Sequence, residues 1–318
     1  MSAPRAAAPH ADPAAAREAS PPSALYYLYG VLAPGGRAVE RLAAGTINGM
    51  AEGAPLFAIE AGGLVAAVSL VSAAQFDEAP LADLLADLPR LTPLAVRHEN
   101  AVHALAEAAD AVVPVTFGAI YRDAGAVVRL LSDGAAQFRA LLDRVRGRQE
   151  WGVKLFAEPA ALEQAAAAES EELRRIDAEL AVASPGRAYL LAKSRERVVA
   201  REAELLGAVL AEDVLRRLAL LSRDTRVDEP ALAGGAPWLL LKAAFLVENE
   251  GAERFLAEAG TTERECAARG LALQCSGPWA PYSFVTRGTI PDATVADEAI
   301  AAETFTETFA GPAAGDVR

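Results

Sequence analysis

The stretch Glu150-Trp151-Gly152-Val153-Lys154-Leu155-Phe156 constrains the chain most, because it is apolar and strand-like between two segments that read as helices. Upstream, Leu141, Leu142 and Val145, with Arg144, Arg146 and Arg148 around them, have the look of the last turns of a helix, and Gly147 is placed to cap it. Downstream, Pro159 stops the strand and opens an alanine- and glutamate-rich helical run. A strand that starts afresh after a capped helix marks the beginning of a second folding unit. The expected division is an Ala/Pro-rich disordered tail at 1–24, an N-terminal domain at 25–147, a C-terminal domain at 148–285 and an acidic tail at 286–318.

Two domains also suit a chain of 318 residues, each half being long enough to bury its own core. The formal net charge of -13 argues against a surface made for nucleic-acid phosphates, which needs clustered Lys and Arg. No apolar run reaches the ~20 residues of a membrane span: Leu64–Ala74 is too short, and Lys242 interrupts Trp238–Val247. Two cysteines, Cys266 and Cys275, in so long a chain fit a reducing cytosol.

Taken in order, Leu25–Leu32 reads as a strand buried on both faces, and Pro34-Gly35-Gly36 as the turn that ends it. Leu56–Glu60 and Leu64–Val71 flank Gly62-Gly63, a dipeptide that tolerates the positive φ angles of a tight hairpin. Leu81, Leu84, Leu85 and Leu88 predict a helix ending before Pro89, and Thr92-Pro93 the start of another, with Leu94, His98, Ala101 and Leu105 as its apolar stripe. Val112–Gly118 predicts a strand whose proline belongs at an edge or end. Two helices, from Asp123 and from Ser132, lead back to the dividing strand. This order is the βαββαβ outline of a ferredoxin-like layer, so the expected class is α+β, each domain an antiparallel or mixed sheet with helices on one face.

The second half predicts a helix over 160–182, a break at Ser184-Pro185-Gly186 and a long helix over 187–221 with a seam of Leu191, Val198, Leu205, Val209 and Leu218. Trp238–Val247 reads as a central strand, 248–268 as a helix and Leu271–Cys275 as a strand. Lys193, Arg195, Arg197 and Arg201 are interleaved with Glu196, Glu202 and Glu204, which predicts a solvated ion-pair face.

Tests for chemistry are mostly negative. Gly30 and Gly35 have phosphate-loop spacing, but Gly36 and Arg37 stand where Lys and Ser/Thr are required. His98-Glu99 and His103 resemble a zinc-binding H-E-x-x-H, yet the histidines are at i and i+5, about 140° apart around a helix, and cannot face one metal. No metal or cofactor is expected. The closing Gly277-Pro278-Trp279-Ala280-Pro281-Tyr282-Ser283-Phe284-Val285 combines two prolines with large aromatic rings, so Trp279, Tyr282 and Phe284 are the candidate partner-binding residues beside a purely structural role.

Six short blocks, in this order, resemble the gas vesicle protein family GvpL/GvpF: Tyr27-Leu28-Tyr29-Gly30, Val113-Pro114-Val115-Thr116-Phe117-Gly118, Glu150-Trp151-Gly152-Val153-Lys154, Gly186-Arg187-Ala188-Tyr189-Leu190, Ala244-Phe245-Leu246-Val247 and the closing segment. The resemblance covers about Leu25 to Val285. It implies a non-enzymatic accessory protein of gas vesicle assembly, cytoplasmic and vesicle-associated, that contacts the very hydrophobic major shell protein GvpA and other minor vesicle proteins. No catalytic residue comes with it. Thr116 stands where the family pattern often carries a basic residue. Two further classes stay open: a small-molecule or regulatory enzyme with a site between the sheets lined by Tyr121, Trp151 and His98, and a coiled-coil scaffold with long projecting helices.

Overall fold

The structure, a computed structural model, describes residues 24–228 and 237–285. Of the expected tails at 1–24 and 286–318, all but Ala24, which opens the first strand, lie outside the described residues. The described chain is α+β and is built on two antiparallel sheets.

The first sheet comes from β1 (Ala24–Leu32), β2 (Phe57–Ala61), β3 (Leu64–Ser72), β4 (Val112–Pro114) and β5 (Ile120–Tyr121). Its order is β2-β3-β1-β4, with β5 also pairing β1. Gly62 and Gly63 make the predicted hairpin with φ of 58° and 69°, the positive pair that a two-residue hairpin of this type needs. β1 is central and carries a register shift between Leu28 and Gly30. This bulge puts Tyr27, Tyr29 and Leu32 in one core and Leu28 and Val31 in the other.

Both faces of this sheet are covered. α1 (Gly36–Ala43), α2 (Ala73–Phe76), α3 (Glu78–Leu85) and α4 (Leu88–Ala108) contribute to one core. α5 (Ala124–Asp133) and α6 (Ala135–Val145) contribute to the other. The one-face arrangement expected from sequence is therefore corrected for the first sheet. Leu64–Val68 is buried without alternation, and such a strand needs cover on both sides.

The second sheet has the order β7-β8-β6-β9, from β6 (Arg148–Ala157), β7 (Asp224–Asp228), β8 (Trp238–Glu248) and β9 (Leu271–Trp279). The dividing strand β6 is central, and its Trp151, Val153, Leu155 and Ala157 point into a core under helices. Those helices are α7 (Pro159–Glu169), α9 (Pro185–Ala219) and α10 (Ala252–Ala267), with α8 (Glu171–Ala181) packed on α9; a short α11 (Tyr282–Val285) follows β9.

Several local expectations are revised. α4 begins at Leu88, because the Asp87 side chain accepts the Arg90 N–H and Pro89 occupies the first turn, where no N–H is needed. Thr92-Pro93 falls inside the helix, with the Thr92 hydroxyl donating to the Leu88 carbonyl. The helix expected over 160–182 is two helices, since Ser170 caps α8 by accepting the Leu173 N–H. On α9 the buried face runs Val198, Ala203, Gly207, Ala211, Val214 and Leu218, so Val198 and Leu218 of the expected seam are buried while Leu205 and Val209 face solvent. Close approach explains this: a Cβ at Gly207 would sit 3.1 Å from Leu240 and 3.3 Å from Leu162. The interleaved charges pair as expected, Arg195 with Asp177, Arg201 with Glu172 and Lys193 with Glu196.

Candidate functional site

The two sheets meet through the closing segment. β9 runs along β6, and its Gly277 has φ 138° and passes so close that a Cβ there would lie 2.9 Å from the Glu150 carbonyl and the Trp151 ring. Beyond Trp279 the chain leaves the second sheet. Ala280 enters one core of the first sheet, and Phe284 and Val285 enter the other, where Leu246 of β8 also packs. The Arg144–Asp224 ion pair and the bond from the Asn249 N–H to the Gly147 carbonyl (2.9 Å) reinforce the junction.

At its centre stands His98, fully buried on α4. Its ring is stacked on Tyr29 (centroids 5.6 Å apart, planes at 19°) and meets Tyr27 and Phe117 edge-on. His98 Nε2 lies 3.0 Å from the Val115 carbonyl, which can only accept, so Nε2 carries the proton and Nδ1 accepts from the Tyr27 hydroxyl at 3.0 Å. Tyr27 Oη in turn accepts the Gly118 N–H, and Tyr29 Oη accepts the Met50 N–H. Burial lowers the His98 pKa to about 4, so the ring is neutral at physiological pH.

Two carboxyl groups complete the site, one from each half. Glu99, next to His98, accepts the Tyr282 hydroxyl proton at 2.9 Å. Glu150, the first residue of the dividing stretch, accepts from the Ser283 hydroxyl (2.7 Å) and the Ser283 N–H (2.9 Å), holding the first turn of α11. Burial raises both carboxyl groups to about 7. Four of the six sequence blocks thus converge on one point: Tyr27 and Tyr29, then Val115, Phe117 and Gly118, then Glu150, then Tyr282 and Ser283.

The sequence-predicted residues divide differently. Trp279 ends β9 half-buried, its Nε1–H donating to Ser276 Oγ at 3.2 Å. Tyr282 lies in the network, and Phe284 is 3 % exposed inside the core. His98, Tyr121 and Trp151 do not line one cavity: His98 stands in the aromatic cluster, Tyr121 in the opposite core of the first sheet and Trp151 in the core of the second. That arrangement corrects the enzyme alternative, whose site required the three together. His103 is exposed beside Glu107, away from His98, and among the described residues no group of three His, Cys, Asp or Glu could hold a metal. Sequence reasoning missed Glu99 and Glu150 as partners of the closing segment, and Ser283 as the residue that Glu150 holds. A glutamate directly before Trp151 at a buried position of β6 was the available signal.

Polar side chains here bind the chain to itself: Tyr27 with His98, Tyr282 with Glu99 and Ser283 with Glu150. A two-sheet α+β protein locked by its own closing segment is thereby defined. This chain belongs to the family described as gas vesicle synthesis protein GvpL/GvpF, whose model matches residues 25–286. It is 35% identical over 240 residues to gas vesicle protein L of Streptomyces sp. (strain CB03234), covering 73% of this chain and 84% of that protein. It is 33% identical over 211 residues to gas vesicle protein F of the same strain, covering 64% and 84%. Its fold is similar to the crystal structure of GvpF from Anabaena sp. PCC7120, with a TM-score of 0.64 at 18% identity over 84% of this chain and 100% of that one. GvpF from Microcystis aeruginosa gives 0.59 at 17% identity over 83% and 99%.

Proposed function

We propose that this chain is a non-enzymatic accessory protein of gas vesicle assembly that binds the hydrophobic major shell protein GvpA during shell formation, acting at the gas vesicle in the cytoplasm. Family membership across residues 25–286 is the observation that carries this reading. Among the described residues no helix is long and apolar enough to cross a membrane, which agrees with an encounter away from lipid. Within the closing segment we assign partner contact to Trp279, which keeps part of its ring at the surface, and give Tyr282 and Phe284 the task of anchoring the segment to the first half of the chain.

Capture of purified GvpA by the immobilised chain tests the proposal, with a scrambled apolar peptide as control. Saturable capture of GvpA alone is the expected result. Trp279→Ala should weaken it while leaving the unfolding midpoint in place. Capture of the scrambled peptide to the same extent would mean that the chain binds apolar segments indiscriminately and would end the proposal.

A further inference from the structure

Among the described residues, helices cover one face of the second sheet and leave the other open. α7, α9 and α10 lie over Trp151, Val153, Leu155 and Ala157, and the alternate residues of the four strands point the other way. Strand register sets those residues in rows. Lys154 stands directly opposite Lys242, with Asp228 beyond Lys242 and Gln274 beyond Lys154. Two residues along β6 in one direction, Phe156 stands between Leu239 and Ala272. Two residues along in the other, Gly152 stands between Ala244 and Ser276, with Arg226 past Ala244. Phe156 and Leu239 are half-buried and belong to none of the three cores among the described residues.

These rows are cationic on a chain of net charge -13. Lys154, Lys242 and Arg226 outnumber Asp228, which lies 3.3 Å from Lys242. Like charges directly opposite on neighbouring strands repel, so a further carboxylate between Lys154 and Lys242 relieves the sheet. A ring laid on Phe156 and Leu239 takes apolar surface out of water. The described chain ends beside this face: Val285 packs in one core with Leu246, and Ala244, two residues along β8, packs against that core. From Leu246 to Leu239 is about 24 Å of strand, and residues 286–303 can span about 60 Å. Residues 288–317 contain no Lys or Arg, and Glu303-Thr304-Phe305-Thr306-Glu307-Thr308-Phe309 alternates carboxylate and ring at every second position. When the chain is extended that spacing is about 6.8 Å, the distance from one row of the sheet to the next.

We propose that residues 303–309 of this chain's own acidic tail dock on the open face of the second sheet. Phe305 lies on Phe156 and Leu239, Glu307 meets Lys154 and Lys242, and Phe309 fits over the small residues Gly152 and Ala244. The tether selects this occupant over a partner's segment. Joined to the fold at Val285, the tail is present at roughly millimolar effective concentration, which a free segment has to outcompete. The docking segment lies past the end of the family model at residue 286, so this cover goes beyond the assembly reading and does not rest on it.

Hydrogen exchange of the full chain, read by mass spectrometry over residues 303–309, tests the proposal. Protection of about tenfold over a free peptide of the same sequence is expected. Lys154→Glu and Phe156→Ala should each remove most of it. Glutamate at 154 faces Lys242, an opposite-charge pair that keeps the strands together, so Lys154→Glu reports the docking even if Phe156→Ala loosens the sheet. Exchange in β8, expected unchanged in Lys154→Glu, shows that the sheet is intact. No protection in the wild type, or protection that both substitutions leave in place, overturns the proposal. So does protection that grows with protein concentration from about 1 to about 100 μM, as docking on a second copy would give.

Discussion

Replacing Glu150 by glutamine should make the protein's stability less sensitive to alkaline pH. In the folded chain burial raises the Glu150 carboxyl from 4.5 to about 7, with Asp228 and Glu99 adding repulsion. A carboxyl whose folded pKa exceeds its unfolded value holds its proton more tightly when folded. Its stabilising effect is therefore fully present below about pH 4.5, declines as pH rises toward 7, and is lost above that. At 1.36 kcal/mol per pKa unit, wild type should lose about 2.5 kcal/mol through this group between about pH 5 and pH 8. Glutamine cannot ionise, yet its carbonyl can accept the Ser283 N–H and its amide can donate to the Ser283 hydroxyl. Urea unfolding of both proteins across that range, followed by Trp fluorescence, measures the difference. The variant should gain about 2 kcal/mol relative to wild type from the acid to the alkaline end, whatever its offset at low pH. A difference that stays flat to within about 0.5 kcal/mol would refute burial as the cause of the shift.

Phe284→Ala should lower stability by about 3–5 kcal/mol in urea unfolding, since the ring is buried in the first sheet's core with nothing positioned to fill its place. Tyr27→Phe strands the Gly118 N–H and His98 Nδ1 together and should lose about 2–4 kcal/mol, whereas Tyr26→Phe, at a half-buried position on the same strand, should stay within about 0.5. Gly207→Leu should be destabilising by about 1–3 kcal/mol or more, because Leu240 and Leu162 already occupy that space, while Leu205→Ala at a 56 % exposed site should change thermal stability little.

How much of this was legible in the sequence depends on whether its cause was local. The Gly62-Gly63 hairpin and the both-faces burial of β1 were readable, because turn chemistry and uninterrupted apolar character act over a few residues. β7 was not: Asp224-Thr225-Arg226-Val227-Asp228 is a polar edge strand with no alternation to betray it. The α9 seam was legible in part: Val198 and Leu218 are buried as expected, but hydrophobic spacing also gave weight to Leu205 and Val209, where the helix turns Ala203, Gly207 and Ala211 inward at close approach. The junction was the least visible part. Tyr27 and His98 are 71 residues apart, and Tyr282 and Glu99 are 183, so no periodicity links them. The blocks that resembled a family marked where the contacts would be without saying what they were.

The closing segment also sets a schedule. Most of the first sheet is in hand once Val145 has been made, yet Ala280, Phe284 and Val285 of its cores are among the last described residues. At about 5–20 residues per second, ribosomal synthesis leaves roughly 7–28 s during which that sheet has an open seat. A nascent chain in this interval presents an apolar slot, and closes it itself only when translation has passed β9 and delivered α11.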